Sequence, residues 1–328
     1  MRLRIFFGPE DMKRTQVSAR PDALWELVLS LHPLRGPRPG FGPPADVARW
    51  RSDTLTVLSK RPLGAAVGRC LLPLVPVSSY WPDFLTPHTG TDGLEPALDT
   101  LLSTPRARIG QELGKLTSRS GAPSWGAELA TGDSSALAVL RDHLRSYFSA
   151  ALAPRWSDIS RHAATEHTRL TGVSANGGPE DLLANLPCAV WHRADRILEA
   201  RYPVPVDVHL AGRGLRLIPS WFCATTPVVL ADTDLPPVLV YPVAHRPPPA
   251  ADPNALAKLL GPTRARILAT ITVATPTATI HRETGISPAQ ISRHTTVLAA
   301  NDLVLQARHA GRTFYTRTPL GDALATRR

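Results

Sequence analysis

Between Gly285 and Leu303 the chain carries a helix stop and a helix start close together, and that juxtaposition leaves few folds open. Ile280–Thr284 reads as a short helix, and Gly285 can take the left-handed conformation that ends one. Ile286 crosses the turn. Ser287 is a good N-cap, and Pro288 suits the first helical position, where a missing N–H costs nothing. Gln290 stands at capping-box spacing from Ser287. A second helix therefore starts at Ser287. Its core positions are expected at Ile291, Val297 and Leu298, with Thr295 on the same side. Ala289, Ser292, Arg293 and Thr296 are then left facing outward. Small residues, a hydroxyl and an arginine suit a DNA major groove, because small residues allow close approach and arginine pairs with guanine or phosphate. Asn301 and Asp302 break the helix.

Leu303–Leu305 reads as a strand, Arg308–Arg312 as a turn with basic flanks, and Thr313–Thr316 as a returning strand. Such a two-stranded wing would carry Arg308 and Arg312 at its tip, placed to touch phosphate. Composition points the same way. The chain has 328 residues, a net charge of +10 and a pI near 10.2. Arginine richness of this kind also follows from a GC-rich genome, which accounts for much of the global excess. The local excess is harder to dismiss. From Leu256 to Arg317 the basic residues are Lys258, Arg264, Arg266, Arg282, Arg293, Arg308, Arg312 and Arg317, against Glu283 and Asp302.

These segments resemble ArsR-type winged helix-turn-helix regulators. Leu260–Leu268 is similar to their opening helix, Ile286–His294 to their recognition helix, and Asn301–Val304 with Gly311–Tyr315 to the strand-and-wing segment. The resemblance covers about the last quarter of the chain. It implies a sequence-specific, repressor-like DNA-binding regulator of transcription, cytoplasmic and homodimeric through its flanking helices. It also implies that His294 lies at the rear of the recognition helix, where it packs or reaches a phosphate. Thr295 departs from the pattern, which usually has leucine there. Many family members sense metal through a cysteine motif before the turn. Thr277–Thr284 holds no cysteine, so metal sensing does not carry over and no cofactor is expected.

The expected fold class is α+β: a mixed helix and sheet domain over residues 1–245, a proline-rich linker over 246–253, and the winged helix over 254–328. Leu3–Phe7 reads as an opening strand, and Asp22–Leu31 as a helix apolar nearly all round and so buried. Asp46–Lys60, Leu94–Leu102, Ala107–Leu116, Ser134–Leu152 and Pro154–Leu170 follow as helices. Asn176-Gly177-Gly178 ends that run before a short helix from Pro179. Tyr80–Leu85 is an aromatic loop, read as a core plug in preference to a ligand site. Val206–Leu210 and Leu215–Ile218 alternate around Ala211–Gly214, a pattern that predicts a hairpin. Val228–Leu230 and Val238–Tyr241 are further strands, with the first strand joining their sheet. Gly212–Leu215, Ile218–Phe222, Leu24–Leu27 and Pro82–Phe84 resemble an uncharacterised domain that precedes such DNA-binding modules in high-GC bacteria. That domain brings no known ligand; a small-molecule effector is an open expectation.

Catalytic and metal chemistry finds little support. Arg213 between two glycines is a weak phosphate-loop signal and a better turn. His162 and His167 flank Glu166 at a spacing that puts the rings on different helix faces, which favours surface histidines over metal ligands. Cys70, Cys188 and Cys223 form no disulfide or zinc pattern and suit a reducing compartment. Ser220 lacks nucleophile-elbow glycines. No triad, no carboxylates paired at helix spacing and no nucleotide fingerprint stand out, so an enzyme is not expected. The N-terminus becomes charged at Glu10-Asp11, leaving no signal-peptide core, and Leu63–Val77 is too broken to span a bilayer, so no membrane partner is expected. Two alternatives remain: an N-terminal enzyme or protein-interaction domain targeted by the winged helix, or a winged helix that binds protein.

Overall fold

A computed structural model describes residues 1–36, 44–60, 62–76, 80–120, 126–232, 234–243, 255–309 and 311–325. The chain divides into two compact units, Met1–His245 and Arg246–Arg328, both mixing helices with small sheets. The proline-rich stretch from Arg246 to Pro253 and most of the Arg35–Pro44 loop lie outside the described residues.

Among the described residues of the first unit, the strands are β1 (Arg2–Phe6), β2 (Gln16–Val17), β3 (Ala189–His192), β4 (Ile197–Arg201), β5 (Val206–His209), β6 (Arg216–Ser220), β7 (Val228–Val229) and β8 (Val238–Pro242). They form two sheets, ordered β3-β4-β1-β5 and β2-β6-β8-β7. β1 runs antiparallel to β4 and parallel to β5, while β6 is parallel to both β2 and β8. Leu3 and Ile5 alternate inward from β1, and Arg4 outside forms a paired contact with Asp207 at 2.8 and 2.6 Å.

Two expectations fail here. β5 and β6 belong to different sheets, so Ala211–Gly214 is a crossover and no hairpin. The physical reason is long-range. Asp11 Oδ1 accepts from Gly214 N at 2.9 Å and Thr15 Oγ1 accepts from Leu215 N, so the loop is tied to the short Pro9–Arg14 helix and to Thr15, which ends it. Gly214 has φ +74°, and a Cβ there would come within 2.6 Å of Arg14, so the crossover needs glycine. Arg213 is spent on carbonyls, donating to Leu210 O and Leu235 O, which leaves no phosphate loop. There are also two sheets where one was expected, and β2, β3 and β4 had no recognised strand signal.

The main core of this unit surrounds the Ala23–Leu34 helix, whose residues Ala23 to Leu31 are all buried. Asp22 caps it, with Oδ1 accepting from Leu24 N and Trp25 N, both at 3.1 Å. Tyr80, Phe84 and Leu85 are buried against this core, as a plug would be. The Trp156–Ala184 helix breaks at Gly178, where φ is +80° and ψ −178°, with Pro179 restarting it. No helix among the described residues is long and apolar enough to cross a membrane.

The second unit is built from helices Ala255–Leu260, Pro262–Thr270, Thr277–Thr284 and Pro288–Ala300, and a three-stranded sheet, with helix Pro319–Ala325 at the end. In order the strands are β9 (Thr275–Pro276), β10 (Val304–His309) and β11 (Arg312–Arg317), with β11 in the middle and every pair antiparallel. Two strands were expected here as a wing; the sheet has a third, too short to announce itself in the sequence. Ile267, Leu268, Ile271, Ile280, Ile286, Ile291, Leu298, Leu303, Val304 and Tyr315 form one core beneath helices and sheet.

Candidate nucleic-acid interface

The Pro288–Ala300 helix is set by its ends. Gly285 sits in the left-handed region at φ +70°, and its N–H closes the preceding helix onto His281 O at 2.8 Å. Ser287 Oγ accepts from Gln290 N at 3.4 Å and lies 3.2 Å from Gln290 Oε1, to which it donates. The Gln290 side chain thus turns onto the capping hydroxyl, in place of the reciprocal bond to the Ser287 backbone that a capping box makes. Asn301 ends the helix, and Asp302 follows with φ +60°.

Burial along this helix follows the helical period. Ile291, Thr295 and Leu298 are buried, at spacings of four and three. Val297 was expected on that face, but it is 41% exposed, because one residue before Leu298 turns it away from the core. Thr295, where leucine was the expected pattern, is fully buried and bonds Ile291 O at 2.8 Å, so its hydroxyl is satisfied inside the helix.

The opposite side is open. Ser287, Pro288, Ala289 and Gln290 are exposed at the helix start, and Ser292, Arg293 and Thr296 continue the same exposed surface. His294 is half-buried at its flank. Ala289, Arg293 and Thr296 recur at helical spacing, so they form a stripe of small, cationic and hydroxyl groups.

Six arginines of this unit fall into two groups, with half-buried Arg264 outside both. Arg266 donates to Thr284 O, and Arg317 pairs with Asp322 at 2.8 Å, so both serve the fold. Arg282, Arg293, Arg308 and Arg312 are exposed, and among the described residues no acidic side chain pairs with them. Arg282, on the helix before the turn, was counted only as charge in the sequence; its exposure makes it a further candidate cation of this unit. The ladder changes the expected wing tip. Arg308 faces Thr313 across the strands, and His309 faces Arg312. Since successive residues alternate, Arg308 and Arg312 project from opposite faces of the hairpin. Arg308 shares the face of buried Val304 and Tyr315, while Arg312 is on the outer face.

The other sequence candidates settle into structural roles. His167 Nδ1 lies 3.1 Å from Val17 O and His162 Nδ1 2.8 Å from Asp158 O; both rings are half-buried and neither is a free surface histidine. No group of metal-binding side chains occurs among the described residues. Burial pushes the Cys188 thiol up to about 12, away from reactive thiolate. Ser220 is fully buried and donates to Glu26 Oε2 at 3.0 Å. Glu26 also accepts from Trp221 N at 2.7 Å and Phe222 N at 3.1 Å.

Sequence inspection missed one pairing altogether. Asp22 and Glu26 stand four residues apart at the start of one helix, and each is 1% exposed. Burial raises Asp22 to about 6 and Glu26 to about 7, against the hydrogen bonds that pull each down. Their spacing was legible, but their burial was not. No protein family model matches the chain, and neither a curated protein nor a solved structure does.

Proposed function

We propose that the second unit is a winged helix-turn-helix of ArsR type and that the protein is a sequence-specific, DNA-binding regulator of transcription. In this reading Thr277–Thr284 and Pro288–Ala300 are the two helices of the motif, and β10 and β11 are the wing. The observation that carries it is the exposed stripe of Ala289, Ser292, Arg293 and Thr296 on a well-capped helix, in a unit whose exposed arginines Arg282, Arg293, Arg308 and Arg312 have no acidic partner among the described residues. Ser287, Pro288 and Ala289 approach the double-stranded DNA backbone closely. Ser292, Arg293 and Thr296 face base edges in the major groove, Gln290 has only its amide NH2 left to offer there because its Oε1 takes the Ser287 hydroxyl, and His294 sits beside phosphate. Arg312, on the outer face of the wing, is its main phosphate contact, and Arg308 is the lesser one. The protein acts in the cytoplasm as a homodimer without a metal, its half-sites about one helical turn apart. It represses, and the first unit senses an effector.

The test is a salt series on a DNA fragment selected from the source genome by the full-length protein. Arg312→Ala should weaken specific and nonspecific binding alike and make the log–log salt dependence shallower by about one. Arg293→Ala should instead relax base preference, by about 1–3 kcal/mol at one position. Absence of DNA binding at low salt, or an unchanged slope in Arg312→Ala, overturns the reading.

A further inference from the structure

The first unit contains a cavity of about 360 Å³, within the size range of small-molecule sites. Its wall is mainly apolar, with Trp25, Phe84, Ile218, Leu230, Leu235 and Val238 contributing. Five titratable side chains also line it: Asp22, Asp83, His88, Arg108 and Arg216.

Most of this charge is already committed. Arg216 donates to His88 O at 2.8 Å, to Ser18 Oγ at 3.3 Å and to Thr91 Oγ1. Arg108 binds Glu112 Oε1 at 2.7 Å and lies 3.8 Å from Asp232 Oδ2. Asp83 accepts from Ala231 N at 3.1 Å and Asp232 N at 2.8 Å. Asp22 differs. Its Oδ1 caps the helix, while its Oδ2 has no hydrogen-bond partner among the described residues although the residue is 1% exposed. A buried carboxylate oxygen left unpaired is costly, and it calls for a donor from outside the chain. Both arginines spend their hydrogen bonds on other groups, so Arg216 acts on Asp22 through its charge alone, and the two carboxylates line one largely apolar chamber. The complementary ligand is cationic at one end and apolar over the rest.

We propose that this cavity binds a small primary amine with an aromatic or branched aliphatic body, its ammonium group held by Asp22. This assignment stands apart from the DNA-binding reading, since it concerns the first unit alone. Desolvation that disfavours an unpaired Asp22 carboxylate is relieved when a cation arrives, and Trp25 and Phe84 offer rings for the body.

The test is calorimetric titration of the full chain near neutral pH with phenethylamine, tryptamine and isoamylamine, compared with phenethyl alcohol and hydrocinnamate. At least one amine should bind, and the alcohol and the acid should bind at least about tenfold more weakly, as expected for loss of one charged hydrogen bond. Asp22→Asn keeps a capping oxygen and should weaken the amine by a similar factor. Leu235→Trp, in a loop at the cavity wall, should abolish binding by filling the space. Circular dichroism checks that both variants fold. Failure of all three amines overturns the proposal, as does equal binding of the alcohol or wild-type affinity in a folded variant. The amine–alcohol comparison uses the unaltered chain and decides the matter even where a variant does not fold.

Discussion

The two units bury polar groups in different ways. In the first, the buried set includes Asp11, Asp22, Glu26, Asp83, Glu112 and Glu166. Several of these accept backbone N–H groups from distant chain. Glu26 reaches Trp221 and Phe222, 195 and 196 positions away, Asp11 reaches Gly214 across 203, and Asp83 reaches Ala231 across 148. In the second unit the buried polar side chains among the described residues are Thr275, Thr284, Thr295 and Thr318. Thr284 and Thr295 bond carbonyls four residues back, and Thr275 accepts from Thr272 N three residues back. Only Thr318 reaches further, to Asp302 O. A carboxylate that must be desolvated needs several donors at once, and distant loops supply them. A hydroxyl has one proton to place, and its own helix can take it.

The strongest way to break this contrast is Glu26→Ala. It leaves the N–H groups of Trp221 and Phe222 buried without their acceptor, which should cost on the order of 3 kcal/mol of first-unit stability. All seven tryptophans lie in the first unit, so their fluorescence in a guanidinium melt reads that unit alone. An unchanged midpoint would show that the Glu26 cluster does not hold the unit together.

The same melt tests the ionisation of the buried acids. Asp22 and Asp83 are raised to about 6 and Glu26 to about 7, in each case chiefly by burial. Folded values above unfolded ones mean that the folded state holds protons which the unfolded chain releases. Their stabilisation is full below the ordinary carboxylate range, about pH 4, and is lost as pH rises to about 7. The first unit should therefore have a lower midpoint at pH 8 than at pH 5. A higher midpoint at pH 8 contradicts the raised values.

In the second unit the expected effects are smaller and local. Gly285→Ala puts a Cβ on a residue at φ +70°, where nothing lies within 4 Å of it, so the cost is backbone strain alone. That is about 1 kcal/mol. Amide hydrogen exchange in the flanking helices should report it, and unaltered protection would remove the turn from the argument. Thr295→Val should change stability by less than about 1 kcal/mol, since the Ile291 carbonyl that it releases sits within a helix. A much larger loss in the same exchange measurement would mean that the Thr295 hydroxyl has a tertiary role, and the contrast between the units would narrow.

The contrast also explains what could be read beforehand. In the second unit, Gly285, Ser287, Pro288, Asn301 and Asp302 act within a few residues of their own position, and the helix they bound was legible. Val297 misled because an apolar residue beside Leu298 carries no mark of which way it turns. β9 is two residues long and pairs with residues near Tyr315, so no local periodicity betrays it. In the first unit, Ala211–Gly214 has the composition of a hairpin turn, yet Asp11 and Thr15 draw it into a crossover. Asp22 and Glu26 were visible as a spacing. Only the packing of Trp221, Phe222 and the neighbouring turns turned them into buried acids.

Sequence alone determined the turn at Gly285 and both ends of the Pro288–Ala300 helix, and it placed Ala289, Ser292, Arg293 and Thr296 outside the core stripe. Caps, left-handed glycines and helical period act through neighbouring backbone, and neighbours in sequence are all they require. Tertiary structure decided the division of the first unit into two sheets, the opposite faces taken by Arg308 and Arg312, and the cavity beside Asp22. Each of these depends on strand register or on donors brought from far along the chain, and desolvation acts on a side chain only once the rest of the fold has closed over it.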